Sequence, residues 1–203
     1  MKIKLCGLTR PCDVAWANET RPDFAGFVFA GVKRRISPQL AGILRRQLHV
    51  SIAAVGVFAD AAAAEIAALV RDGTIQWVQL HGHEDEKYIE NLRRLTDAPL
   101  IQAFAVNSPV DLRRAQASSA DYILLDSGSG GTGRPFDWSL LPSLERPFFL
   151  AGGISLHNVR EAVRRRPFAV DVSSGIERDG HKSRTKMKGF MAFARAAARQ
   201  EGL

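Results

Sequence analysis

Two reactive side chains stand at the ends of apolar runs, where core packing gives them no reason to be. Cys6 closes Ile3–Cys6 and Asp126 closes Tyr122–Asp126. A thiol and a carboxyl held at separate strand ends can serve as general base and general acid. Taken singly, each has a plainer reading. A buried cysteine is ordinarily an inert small hydrophobe, and Asp126 could cap the turn into the Gly/Ser-rich stretch 127–133. The last two runs end in Gly152-Gly153 and in Asp171 followed by Ser173-Ser174-Gly175. Small residues let main-chain N–H groups approach an oxyanion, so this pair of strings predicts a phosphate site. His81, in Gln79-Leu80-His81-Gly82, is a candidate base or ligand, with a structural hydrogen bond as the alternative. No metal is expected there. Residues 178–188 carry five Lys or Arg against one Asp, either a solvated helix face or added attraction for an anion.

Positioning such residues requires a regular scaffold, and the sequence has one. The apolar runs are Ile3–Cys6, Phe24–Phe29, Ala53–Phe58, Trp77–Leu80, Leu100–Ala105, Tyr122–Asp126, Phe148–Ala151 and Ala169–Val172, recurring every 21 to 29 residues. They are almost wholly apolar rather than alternating, as parallel strands covered on both faces must be. Each interval leaves room for one helix. Ser37-Pro38 and Ser108-Pro109 supply an N-cap and a first-turn proline. Asp60 is the expected cap of the helix carrying Ile66, Leu69 and Val70. Tyr88, Ile89, Leu92 and Leu95 form another stripe, and Leu156, Val159 and Val163 follow Ser155. Arginines at 45–46, 93–94, 113–114 and 164–166 fall late in these helices, at the negative end of the dipole. Eight such units without a composition break predict a single closed (β/α)8 barrel over 1–203. An open doubly wound sheet is the alternative, but the first turn reads Cys6-Gly7-Leu8-Thr9 rather than GxGxxG. In a barrel the active site lies at the C-terminal strand ends, where Cys6, the loop to Arg34, His81, Asp126, Gly152-Gly153 and 171–175 all fall.

Composition narrows the classes. With 46% hydrophobic and 24% charged residues the chain is globular, not disordered. The longest stretches free of charge, 47–59, 98–110 and 147–159, fall short of the roughly 18 residues a membrane span needs. The N-terminus does not read as a signal peptide, and Cys6 and Cys12 are too few for a disulfide framework, so a reducing, cytoplasmic location is expected. The net charge of +7 leaves nucleic acid as a formal alternative. Against it, the arginines are dispersed over many helices with no aromatic platform.

The strings Lys4-Leu5-Cys6-Gly7-Leu8-Thr9, Gly26-Phe27-Val28-Phe29, Arg34 with Ile36-Ser37-Pro38, Gly56-Val57-Phe58, Val78 to Gly82, Leu124-Leu125-Asp126, Gly130 to Gly133 with Phe136-Asp137-Trp138, Ala151 to Ile154 and Val170 to Glu177 together resemble the phosphoribosylanthranilate isomerases of tryptophan biosynthesis. The resemblance runs in order over nearly the whole chain. It implies a cofactor-free Amadori rearrangement of a small-molecule substrate, with neither nucleic acid nor membrane as partner; a barrel of this length could be a monomer or a homodimer. By carry-over Cys6 is the general base and Asp126 the general acid. Arg34, with Arg35 its immediate neighbour as the other candidate, would hold the anthranilate carboxylate. Gly152, Gly153, Ser173, Ser174 and Gly175 would hold the phosphate, with His81 and Asp171 lining the site. Another phosphosugar barrel enzyme is the runner-up, though a metal epimerase needs clustered ligands and a paired-aspartate isomerase would replace Cys6 by Asp. A free thiol is mostly protonated at neutral pH. With no Lys or Arg immediately beside Cys6 until Arg10, the charge favouring a thiolate is expected to come from the cationic intermediate and the substrate pocket. The 127–133 loop is expected to order over bound substrate.

Overall fold

The computed structural model describes residues 1–127, 138–141 and 144–203. The strings from Gly130 to Asp137, and the 127–133 loop apart from Ser127, lie outside the described residues.

Eight parallel strands close into a barrel in sequence order: β1 (Lys2–Cys6), β2 (Phe24–Val28), β3 (Ala53–Phe58), β4 (Trp77–Leu80), β5 (Leu100–Ala105), β6 (Tyr122–Asp126), β7 (Phe148–Leu150) and β8 (Ala169–Val172). The ring is sealed where β1 pairs with β8, placing Lys4 opposite Asp171. Around it run α1 (Pro11–Thr20), α2 (Pro38–Gln47), α3 (Ala63–Arg71), α4 (Glu86–Arg93), α5 (Pro109–Ala117), α6 (Val159–Arg164) and α7 (Arg184–Gln200). The interval between β6 and β7 shows, among the described residues, only the 3-10 turn Trp138–Leu140. Before α7 come the 3-10 turn Ser174–Ile176 and a two-residue hairpin, β9 (Glu177–Arg178) with β10 (His181–Lys182).

The apolar runs conceal an alternation that a two-sided strand must have. Ile3 and Leu5 point outward into the layer shared with Val14, Leu44 and Phe190 of the helices. Lys4 and Cys6, on the other face of β1, point into the bore. There Phe24, Trp77, Tyr122, Phe149 and Phe168 form an aromatic plug, with centroids from 4.7 to 6.5 Å apart. Helix starts follow the expected chemistry at Ser37, whose side chain accepts from the Leu40 N–H, and at Ser108, which forms a capping box with Asp111. Basic residues occupy the last turns of α2 to α6.

Asp60 does not cap α3. It sits at φ +54°, the helix begins after Ala62, and the Asp60 carboxylate instead accepts from the His83 N–H at 2.6 Å. Leu95 and Leu156 are partly exposed rather than packed, because both lie outside their helices. Among the described residues, no helix is long and apolar enough to cross a membrane.

Candidate active site

The C-terminal mouth of the barrel opens into a cavity of about 520 Å³. It gathers every residue singled out above as catalytic, substrate-binding or phosphate-binding except Gly175. Gly175 lies just beneath, so close to the next loop that a β-carbon there would fall 2.1 Å from the Ile154 carbonyl oxygen. Going around the rim, Asp126 ends β6, Gly152-Gly153 follow β7, Asp171 and Ser173-Ser174 end β8, and Cys6 ends β1. The small-residue loops thus occupy the arc between carboxyl and thiol. Arg34 borders the far side of Cys6, from the loop after β2.

Cys6 is buried, with 8% of its surface exposed. Its sulfur has room because Gly26, its partner across the β1–β2 ladder, lacks a side chain. A β-carbon there would lie 2.7 Å from Sγ. Burial pushes the thiol up, against the opposing charges of Lys4 and Lys182. Both lysines were missed as neighbours of Cys6. Lys4 is two residues earlier on the same face of β1, fully buried, and its Nζ lies 2.7 Å from Asp171 Oδ2. Burial lowers its proton affinity, but Asp171 and the thiol raise it further. Positive charge near the thiol is therefore built into the protein, in addition to the cationic intermediate and substrate pocket from which it was expected. The signal was the period of two in the strand, which places Lys4 and Cys6 side by side in the bore.

Asp126 accepts from the Ser127 hydroxyl at 3.2 Å, and His81 Nε2 lies 3.8 Å from its other oxygen. Gly152, at φ +79°, brings the chain so near that a β-carbon would fall 2.7 Å from Asp126 Oδ1.

Behind the cavity lies a charged network. Arg34 donates from Nε and Nη2 to both oxygens of Glu177, at 2.6 and 2.8 Å. Lys182 Nζ donates to Glu177 Oε1 at 2.6 Å and to the Ser173 carbonyl at 3.0 Å, while the Ser173 hydroxyl donates to the Cys6 carbonyl. Burial alone would raise the Glu177 carboxyl, but the Arg34 hydrogen bonds and the Lys182 charge hold it below the usual range. For Lys182, burial wins and pushes its ammonium down despite Glu177. The basic stretch 178–188 is therefore not one solvated face. Lys182 is buried beneath the site, Lys186 Nζ holds the Glu177 carbonyl, and Arg184 and Lys188 pair with Glu19 on α1.

Arg34 and Arg35 part company in space. Arg35 bridges to Val28 and borders a neighbouring groove beside Phe29 and Phe58, away from the thiol. Gln79, on the bore face of β4, also borders the cavity, and its Oε1 and Asp171 Oδ1 have no partner among the described residues. Nor do those residues contain a group of three or more His, Cys, Asp or Glu able to hold a metal ion.

Comparison with known proteins bears on the family and the fold. The profile of the N-(5'phosphoribosyl)anthranilate (PRA) isomerase family matches residues 3–192. The N-(5'-phosphoribosyl)anthranilate isomerase of Endomicrobium trichonymphae is 44% identical over 191 residues, covering 92% of this chain and 94% of the relative. The crystal structure of the Thermotoga maritima phosphoribosyl anthranilate isomerase superposes with a TM-score of 0.88 at 35% identity, covering 97% of this chain and 99% of that one. A phosphoribosyl anthranilate isomerase solved with reduced 1-(o-carboxyphenylamino)-1-deoxyribulose 5-phosphate has a TM-score of 0.86 at 34% identity, with the same coverage. A family profile spanning nearly the whole chain, together with relatives at 44% and 35% identity, identifies this chain as a member of the phosphoribosylanthranilate isomerase family of tryptophan biosynthesis.

Proposed function

We propose that this chain converts N-(5′-phosphoribosyl)anthranilate into 1-(2-carboxyphenylamino)-1-deoxyribulose 5-phosphate, with Asp126 as general acid and Cys6 as general base. The observation that carries this reading is that thiol and carboxyl share one cavity, with the loops after β7 and β8 between them and Arg34 beyond the thiol. A substrate with a phosphate at one end and a carboxylate at the other suits that order. Gly152, Gly153, Ser173 and Ser174 would face the phosphate, with Gly175 shaping the loop beneath, and Arg34 the carboxylate. His81 and Asp171 would contact the sugar.

The chemistry needs no redox partner. Asp126 protonates the ring oxygen as the bond from that oxygen to C1′ breaks, and the anilino nitrogen's lone pair forms a C1′–N double bond. The resulting iminium acidifies the C2′ hydrogen. Cys6, as thiolate, removes it, and the electron pair moves to form an enolamine. Tautomerisation delivers a proton to C1′ and releases one from the C2′ hydroxyl, leaving the amino ketone.

The test is a fluorescence assay of the purified protein with phosphoribosylanthranilate in the presence of a chelator. Turnover is expected, falling by orders of magnitude in Cys6→Ala and in Asp126→Ala while circular dichroism stays unchanged. Near wild-type activity in either variant would remove that residue's role. No turnover by the unmodified protein would point to a different phosphosugar substrate.

A further inference from the structure

We propose that Lys4 is a positioning residue for the general base: its ammonium, clamped on Asp171, is the built-in charge against which the Cys6 thiolate forms. This rests on the reading of Cys6 as the base. Lys4 and Cys6 are neighbours on the bore face of β1, and the Lys4 side chain has no exposed surface at all. A buried ion pair is weak as a source of stability, since apolar residues of similar volume commonly serve as well or better. The aromatic plug directly below shows that this bore can be filled that way. A charged pair set one step beneath the thiol therefore calls for a task beyond packing. Lys4 cannot be the base itself, because Asp171 keeps it protonated.

The other charges near Cys6 are already committed. Lys182 on β10 is balanced by Glu177 at 2.6 Å, and Arg34 places two of its donors on the same carboxylate. His81 and Asp126 border the cavity from β4 and β6, and their closest mutual approach is 3.8 Å. On β8, Asp171 gives Lys4 only Oδ2, and the negative charge of that carboxylate opposes the thiolate. Lys4 is thus divided between a carboxylate that holds it in place and a thiol that gains from its charge. The two partners push the thiol in opposite directions, and that sets up a test with opposite signs.

The measurement is the pH dependence of Cys6 alkylation by iodoacetamide, read by mass spectrometry on the Cys6 peptide so that Cys12 does not contribute, alongside kcat and KM against pH. Lys4→Met is expected to move the Cys6 midpoint up by about one pH unit or more, slowing neutral-pH alkylation about tenfold. Its kcat should fall in step and recover toward alkaline pH. Asp171→Asn is expected to move the midpoint down. An unchanged midpoint in Lys4→Met, or an upward shift in Asp171→Asn, overturns the proposal. Either result leaves Cys6 as base intact, since that is judged by Cys6→Ala. If Lys4→Met does not fold, the double variant Lys4→Met/Asp171→Asn, with both charges removed, carries the test. A midpoint above the unmodified protein's supports the role of Lys4, and one at or below it overturns that role.

Discussion

Arg34 places two donors on Glu177 and still borders the cavity, so it is anchored before any substrate arrives. A guanidinium has five N–H donors, and those not used on Glu177 are available to a carboxylate without the side chain losing further freedom. Arg34→Ala is expected to raise KM by about 10- to 100-fold, the worth of a hydrogen bond to a charged group. Arg35→Ala should change it by less than about threefold, since Arg35 borders the adjoining groove. Steady-state kinetics decide, and a larger effect from Arg35 would reverse the assignment. A second expectation concerns Cys6. A general base works only when unprotonated, and burial pushes this thiol up. The value of kcat/KM should therefore climb with pH, with a midpoint above the ~8.5 of a free cysteine. A profile flat from neutral to alkaline pH would count against the thiolate. Cys6 and Asp126 were legible in the sequence because polar groups rarely end apolar runs without cause. Lys4 was not, because its nearness to Cys6 and to Asp171 depends on which face of β1 turns into the bore and on the closure of β1 against β8. Glu177 and Lys182 form a contact across a hairpin too small to leave a periodic signature.

At the scale of elements, the helix starts at Ser37 and Ser108 could be read directly, since capping is a matter of local chemistry. Asp60 misled for the same reason. A short polar side chain before a helix can cap it, but the long-range bond to His83 on the next loop won. Another such long-range device is Arg146, just before β7. Its guanidinium donates to the carbonyls of Ala115, Gln116, Ser118 and Ala120, gathering the C-terminal end of α5 and the turn after it. The Ala115 carbonyl also accepts from the Ser118 N–H, so the guanidinium reinforces this helix end rather than closing it alone. Arg146→Ala is expected to cost about 2 kcal/mol in urea denaturation, in line with charged hydrogen bonds to main chain. A loss under about 0.5 kcal/mol would mean that water replaces the guanidinium at no disadvantage.

For the whole molecule, the barrel was legible because each strand and its helix consume a nearly constant length of chain. The contents of the bore were not, since the aromatic plug draws Phe24, Trp77, Tyr122, Phe149 and Phe168 from or beside separate strands. No local window contains two of them. A barrel loses its edges only when its last strand is in place. A chain cut before Ala169 would leave β1 and β7 each with an open side, and is expected to aggregate. Sedimentation of such a truncation as a folded monomer would contradict that. The ribosome makes the same truncation every time it builds the protein. At about 5–20 residues per second, roughly ten to thirty seconds separate the appearance of β1 from that of its partner. Through that interval the open edge of β1 carries Lys2 and Lys4, and charge on an exposed edge discourages mispairing with other nascent chains. The ammonium later sealed against Asp171, 167 positions along, thus begins as a solvated guard on an unfinished sheet.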